Sequence, residues 1–144
     1  MKVLFDTSVL IAGSIQLHSD HQRALVWMEK ARNGQIEAVV SAHTLAEVYS
    51  VMTRIPVPQQ VSPSNALRII ERNIVGLMQI IALTGDEYID LIRHLSQTGI
   101  AGGATYDAVI ACAAAKAQVD HILTLNTKDF QRVYPALAAS VITP

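Results

Sequence analysis

Lys2-Val3-Leu4-Phe5-Asp6-Thr7-Ser8 is the stretch from which the architecture can be read. Three apolar residues followed at once by a carboxylate suit a short strand buried on both faces. Thr7, Ser8 and Gly13 then mark a turn into a small helix or loop. The same short apolar run returns at residues 38–40, 78–83, 121–125 and 141–142, giving strands two to five. Helical patterns fill the intervals. Residues 21–33 carry Leu25, Met28 and Arg32 at helical spacing, with Ser19 and Gln22 in capping-box positions and Gly34 just past the end. Residues 43–54 place Leu45, Val48, Tyr49 and Met52 on one face, and Pro56 and Pro58 stop them. Ser62-Pro63 opens a helix to about residue 73, and Thr84 with Glu87 forms a second capping box for residues 84–97. Gly99, Gly102 and Gly103 break the chain before an alanine-rich helix over residues 104–118. Strands alternating with helices predict an α/β fold, with helices on both faces of a mostly parallel sheet of four to five strands.

Composition agrees with one folded domain over residues 1–144. The chain is 51% hydrophobic and only 16% charged, which excludes a disordered segment and supplies a sizeable core. Lys+Arg is 11 against Asp+Glu 12, so the net charge of −1 argues against a binder that relies on many cationic phosphate contacts. A nuclease touching a few phosphates remains compatible. One cysteine, Cys112, excludes an intramolecular disulfide scaffold. Asp6 ends the first apolar run too early for a signal-peptide core, and no segment approaches the roughly 18 apolar residues of a membrane span. The expectation is a cytoplasmic protein without a membrane partner. Its apolar excess suits a buried sheet, a homo-oligomer, or both.

The twelve acids then sort by position. In an open α/β sheet, ligands bind outside the carboxyl ends of the strands. Glu29, Glu37, Glu71 and Asp90 have polar neighbours, and Asp20, Asp86 and Glu87 fall in first helical turns, where negative charge suits the dipole. Asp6 directly follows the first strand, as an N-cap or a ligand. Asp107 interrupts an otherwise nearly uncharged helix, where a carboxylate is costly unless it is paired or bound to a cation. Being close to the helix start, it also suits the dipole. Glu47 flanks an apolar stripe. Asn126 and Asp129 follow the fourth strand, as turn formers or as pocket residues. Several elements thus deliver carboxylates to one crevice, where like charges require a cation. All-oxygen donors select Mg2+ or Mn2+, ions that complete their shells with phosphate and so point to phosphodiester hydrolysis.

Four segments in register resemble the PIN-domain ribonucleases, most nearly the VapC-like toxins of toxin–antitoxin pairs. They are Asp6-Thr-Ser-Val-Leu-Ile-Ala-Gly13, Ala46-Glu-Val-Tyr49, Gly102-Gly-Ala-Thr-Tyr-Asp-Ala-Val-Ile-Ala111 and Leu123-Thr-Leu-Asn-Thr-Lys-Asp-Phe130. The resemblance implies a three-layer α/β/α sandwich, a pocket for Mg2+ or Mn2+, RNA as substrate, a homodimer, and silencing by a small antitoxin protein. By position, Asp6, Glu47 and Asp107 match the core metal-binding and catalytic acids. The fourth acidic position holds Asn126, which favours one metal over two unless Asp129 assists from the same loop. Ser8 matches a hydroxyl that supports the pocket. Two other members of this family would share the pattern: a catalytically silent binding partner acting with an antitoxin on DNA, and a housekeeping nuclease without an antitoxin. A phospho-accepting receiver-like domain does not fit, because Leu83-Thr84-Gly85 stands where its aspartate would follow the third strand.

Several other residues favour ordinary duties. His18 and His21 have a spacing open to zinc but no second pair nearby, so a helix-cap role is expected. Cys112 reads as a small buried hydrophobe, and Trp27 and Tyr49 as core or dimer contacts. Lys128 and Arg132 lie close to the expected pocket. Arg54, Arg68 and Arg72 suit a solvated helix face better than a grip on RNA phosphates. Gly102 and Gly103 lack the setting of a dinucleotide loop.

Overall fold

The computed structural model describes residues 1–56, 58 and 60–144. Five parallel strands, β1 (Lys2–Phe5), β2 (Glu37–Ser41), β3 (Gln79–Ile81), β4 (His121–Leu123) and β5 (Val141–Ile142), lie in the order β3-β2-β1-β4-β5. β1 is central, with Leu4 opposite Val39 on one side and Ile122 on the other. Its alternating side chains divide the core in two, as the period of a strand requires. Val3 and Phe5 pack with α1 (Thr7–Ser14), α2 (His21–Arg32), α3 (Ala42–Arg54) and α4 (Pro63–Ile70). Leu4 packs on the opposite face with α5 (Gly85–Thr98), α6 (Ala104–Ala117) and α7 (Thr127–Val133). This is the expected three-layer α/β/α arrangement.

The chain steps outward from β1 through β2 to β3, then returns to the other side of β1 as β4. The reversal puts a crevice outside the carboxyl ends of β1 and β4. The Asp6 backbone N–H donates to Leu123 O at 3.0 Å, drawing those two strand ends together.

Local signals placed most helix starts. Ser62 accepts from the Asn65 N–H, with Pro63 at the first helical position, and Thr84 and Glu87 form the reciprocal capping box. The Ser19 expectation fails. Helix α2 begins at His21 with Asp20 as its cap residue and no side-chain capping bond, because the Asp20 carboxylate is taken by Arg23 and Ser19. Gly13 lies inside α1 rather than in a turn, and there it lets α2 approach closely. The third and fourth strands are shorter than the apolar runs that announced them. Beyond β4 the Leu125 and Asn126 N–H groups bond to Ser8 Oγ and Thr124 Oγ1, which bends the chain over the crevice. Helix α4 runs on into a π-helical turn at Glu71–Val75. Among the described residues, no helix is long and apolar enough to cross a membrane.

Candidate active site

Asp6 is the point from which the site is built. It ends β1, caps α1 and is only 4% exposed. Its Oδ2 accepts the Ser8 N–H at 3.3 Å, the Ser8 hydroxyl at 2.6 Å and the Thr124 hydroxyl at 2.8 Å. Its Oδ1 has no hydrogen-bond donor among the described residues. Burial pushes the proton affinity of Asp6 up, and the bonds from Ser8 and Thr124 partly offset this. Ser8 also accepts the Leu125 N–H at 3.0 Å, so one hydroxyl ties the start of α1 to the loop after β4.

Glu47 comes from the second turn of α3. The Thr7 hydroxyl donates to its Oε2 at 2.5 Å, and His43 Nε2 stands 3.9 Å from the same oxygen. Asp107 comes from the first turn of α6 and has no hydrogen-bond donor among the described residues. Partial burial, followed by the charges of Asp6, Asp129 and Glu47, raises its pKa to about 6, with Arg132 acting in the opposite direction. Mutual repulsion of this kind is the signature of carboxylates held near one another by the fold.

Asp6, Glu47, Asp107, Ser8 and Asn126 line one cleft of about 330 Å³. Asn126 stands at the cap position of α7 without making a side-chain capping bond. Asp129, in the first turn of α7, is exposed and outside the cleft wall, yet near enough for its charge to act on Asp107. Among the described residues, no three His, Cys, Asp or Glu side chains stand at metal-ligand spacing. The donor chemistry nevertheless fits a hard cation: Asp6 Oδ1 and the Asp107 carboxylate are oxygen acceptors without donors, in a region of concentrated negative charge.

Sequence reasoning missed five participants. His18 lines the cleft while its Nδ1 accepts the Asp20 N–H at 3.1 Å at the start of α2, whereas His21 is turned to Ala12 O at 2.9 Å, so the two do not form a metal pair. Thr7 and Thr124 hold Glu47 and Asp6, and their only sequence signal is adjacency to strand ends. His43 and Tyr106 stack beside the acids with ring centroids 5.0 Å apart. A larger groove of about 540 Å³ lies between α5, α6 and residues 133–136, but none of the strand-end acids reaches it. Its charged groups include Glu87 and Lys116, which pair with each other.

Comparison with known proteins accords with this geometry. The PIN domain family model matches residues 3–135, a span that contains every one of these acids. The chain is 35% identical over 124 residues to Ribonuclease VapC27 of Mycobacterium tuberculosis, covering 86% of this chain and 82% of that protein. Two solved structures share the fold. VapC20 of Mycobacterium tuberculosis, a sarcin-ricin loop cleaving toxin, superposes with a TM-score of 0.64 at 16% identity, over 83% of this chain and 86% of its own. VapBC2 from Rickettsia felis, solved with a DNA fragment from their promoter, gives 0.65 at 20% identity, over 100% and 99%. With strand-end acids gathered at the switch point of a parallel sheet, and with these matches over most of its length, the chain belongs to the PIN domain family, as a relative of the VapC ribonucleases.

Proposed function

We propose that the protein is a divalent-metal-dependent endoribonuclease and the toxin of a toxin–antitoxin pair, with a small antitoxin as its protein partner and a homodimer as its working form. The observation that carries the catalytic part is the shared cleft of Asp6, Glu47 and Asp107, in which each carboxylate comes from a different element. The kinship with VapC27, a ribonuclease, supports RNA as the substrate, and the likeness to the VapBC2 complex supports a paired partner.

Asp6 and Asp107 are the residues to hold the cation, with Mg2+ or Mn2+ as the ions their oxygen donors select. The cation, when bound, supplies Lewis-acid activation of water and offsets charge developing on the phosphate. Glu47 has one oxygen engaged by Thr7, which fixes its orientation and leaves the other to orient the attacking water or take its proton. Ser8 and Thr124 hold Asp6 in position. Asn126 is a neutral donor, so the site favours one metal, with Asp129 contributing field from its edge.

The test is cleavage of labelled RNA by purified protein in Mn2+ and in EDTA, alongside Asp6→Asn and Asp107→Asn. Cutting by wild type that is abolished by EDTA and lowered at least about 100-fold in either variant is expected, since each removes a charged donor. Asparagine is also a good helix cap, so Asp6→Asn should keep the melting temperature. Full activity in both variants would remove the assignment of the site, and a wild type that cuts no RNA would favour a silent binding partner.

A further inference from the structure

His43 and Tyr106 form a feature that neither the core nor the carboxylate site requires. Their rings are nearly parallel, 5° apart in plane with centroids separated by 5.0 Å. Parallel planes at that separation are an offset stack, a preferred aromatic arrangement. Neither residue belongs to the two core clusters, and Tyr106 is 52% exposed. Phe, Trp and Tyr make up only 5% of the chain, so an exposed ring beside the acids is not a consequence of aromatic abundance.

The position of the stack is set by the same helices that carry the acids. His43 lies one turn before Glu47 on α3, and Tyr106 directly precedes Asp107 on α6. Both sit in first turns, at helix N-termini where the backbone carries partial positive charge. The stack therefore bridges the two helices outside the cleft lining but next to one of its acids, with His43 Nε2 only 3.9 Å from Glu47 Oε2.

We propose that the His43–Tyr106 stack is a nucleobase platform, receiving the base of the nucleotide next to the scissile phosphate; this rests on the ribonuclease reading above. Unpaired RNA bases are recognised by stacking on Tyr and His rings. A phosphate drawn to the carboxylate cleft leaves its neighbouring base within reach of a ring attached one residue from Asp107. Stacking accepts any base face, so the platform adds affinity and register while leaving base identity to other contacts. It also gives a chain of net charge −1 an RNA contact that does not depend on cations.

Two measurements test it. In the first, Tyr106→Leu and Tyr106→Phe are compared on an RNA that wild type cuts, intact or with single abasic substitutions flanking the cleavage site. Tyr106→Leu should raise KM about tenfold with kcat little changed, and Tyr106→Phe should retain wild-type values. One abasic position should weaken wild type by a similar factor but add nothing to Tyr106→Leu, as expected for two changes that remove the same contact. In the second, 2-aminopurine placed at that position is followed in EDTA: wild type and Tyr106→Phe should quench its emission, and Tyr106→Leu should not.

Equal quenching by Tyr106→Leu, or a loss of kcat with KM unchanged, would overturn the platform and leave the stack as a brace between α3 and α6. Melting curves check that each variant is folded. If wild type cuts no RNA, the ribonuclease reading falls, and quenching with the 2-aminopurine scanned along the strand still decides the platform by the same comparison.

Discussion

Asp107 holds its proton more tightly than an ordinary aspartate because partial burial disfavours its charge and the fold brings Asp6, Asp129 and Glu47 near it. The consequence has a definite sign. Between its ordinary value of 3.8 and about 6, the metal-free folded chain binds a proton that the unfolded chain has released. Stability of the metal-free protein should therefore fall as pH rises through that window. Binding of a divalent cation needs the carboxylate, so affinity should weaken as pH drops below about 6 and binding there should expel a proton. Calorimetric Mn2+ titrations at about pH 5 and about pH 8, in buffers of different ionisation enthalpy, measure this directly. Release at the lower pH only is the expected outcome; identical proton counts at both would show that Asp107 does not face the cation.

At the scale of elements, α1 and α2 pack at the closest approach allowed by a glycine. A Cβ on Gly13 would lie 2.2 Å from Met28 Sδ, and Met28 is itself buried. Gly13→Ala should therefore destabilise by about 1–3 kcal/mol in chemical denaturation. Gly85→Ala, where a Cβ meets nothing within 4 Å, should be close to neutral; equal effects at both positions would remove the packing argument. What was legible in the sequence divides along the same line. Ser62-Pro63 and Thr84–Glu87 were readable because each cap is closed by residues three apart or fewer, and β1 because an apolar run ends at a charge. Helix α7 was not, since only Phe130 and Val133 of its seven residues are buried, too few to set a period. Among site residues, Asp6 and Asp107 announced themselves as charges in apolar surroundings. His18, His43 and Tyr106 did not, because their roles arise from loops and helices that meet only in the folded chain.

For the whole molecule, the topology explains how an almost neutral chain can present a site for a polyanion. β1 and β4 are neighbours although more than a hundred residues separate them, so the acids after β1 meet the loop after β4 with helices α3 and α6 on either side. Negative charge is thus concentrated in one cleft, while Lys116–Glu87 and Arg93–Asp90 pair elsewhere on the surface. Lys128 and Arg132 lie on α7, and Arg132 is near enough to act on Asp107. With these two as the phosphate contacts, the log–log salt slope for single-stranded RNA should be about −2 or shallower. A slope steeper than about −4 would reveal a basic surface elsewhere.

Asp6 performs two duties at once, capping α1 and lining the cleft, whereas Asp107 bonds to no other described side chain. That difference bears on how such a protein can be disarmed by chance. If expression is harmful to a host, survivors accumulate inactivating changes, and most replacements of Asp6 would loosen α1 and deplete the chain from the cell. Replacements of Asp107 would instead leave an intact body. Abundant, well-folded but harmless alleles, still able to engage a protein partner, should therefore cluster at Asp107, and those recovered at Asp6 should be dominated by asparagine, the one substitute that keeps both the shape and the cap.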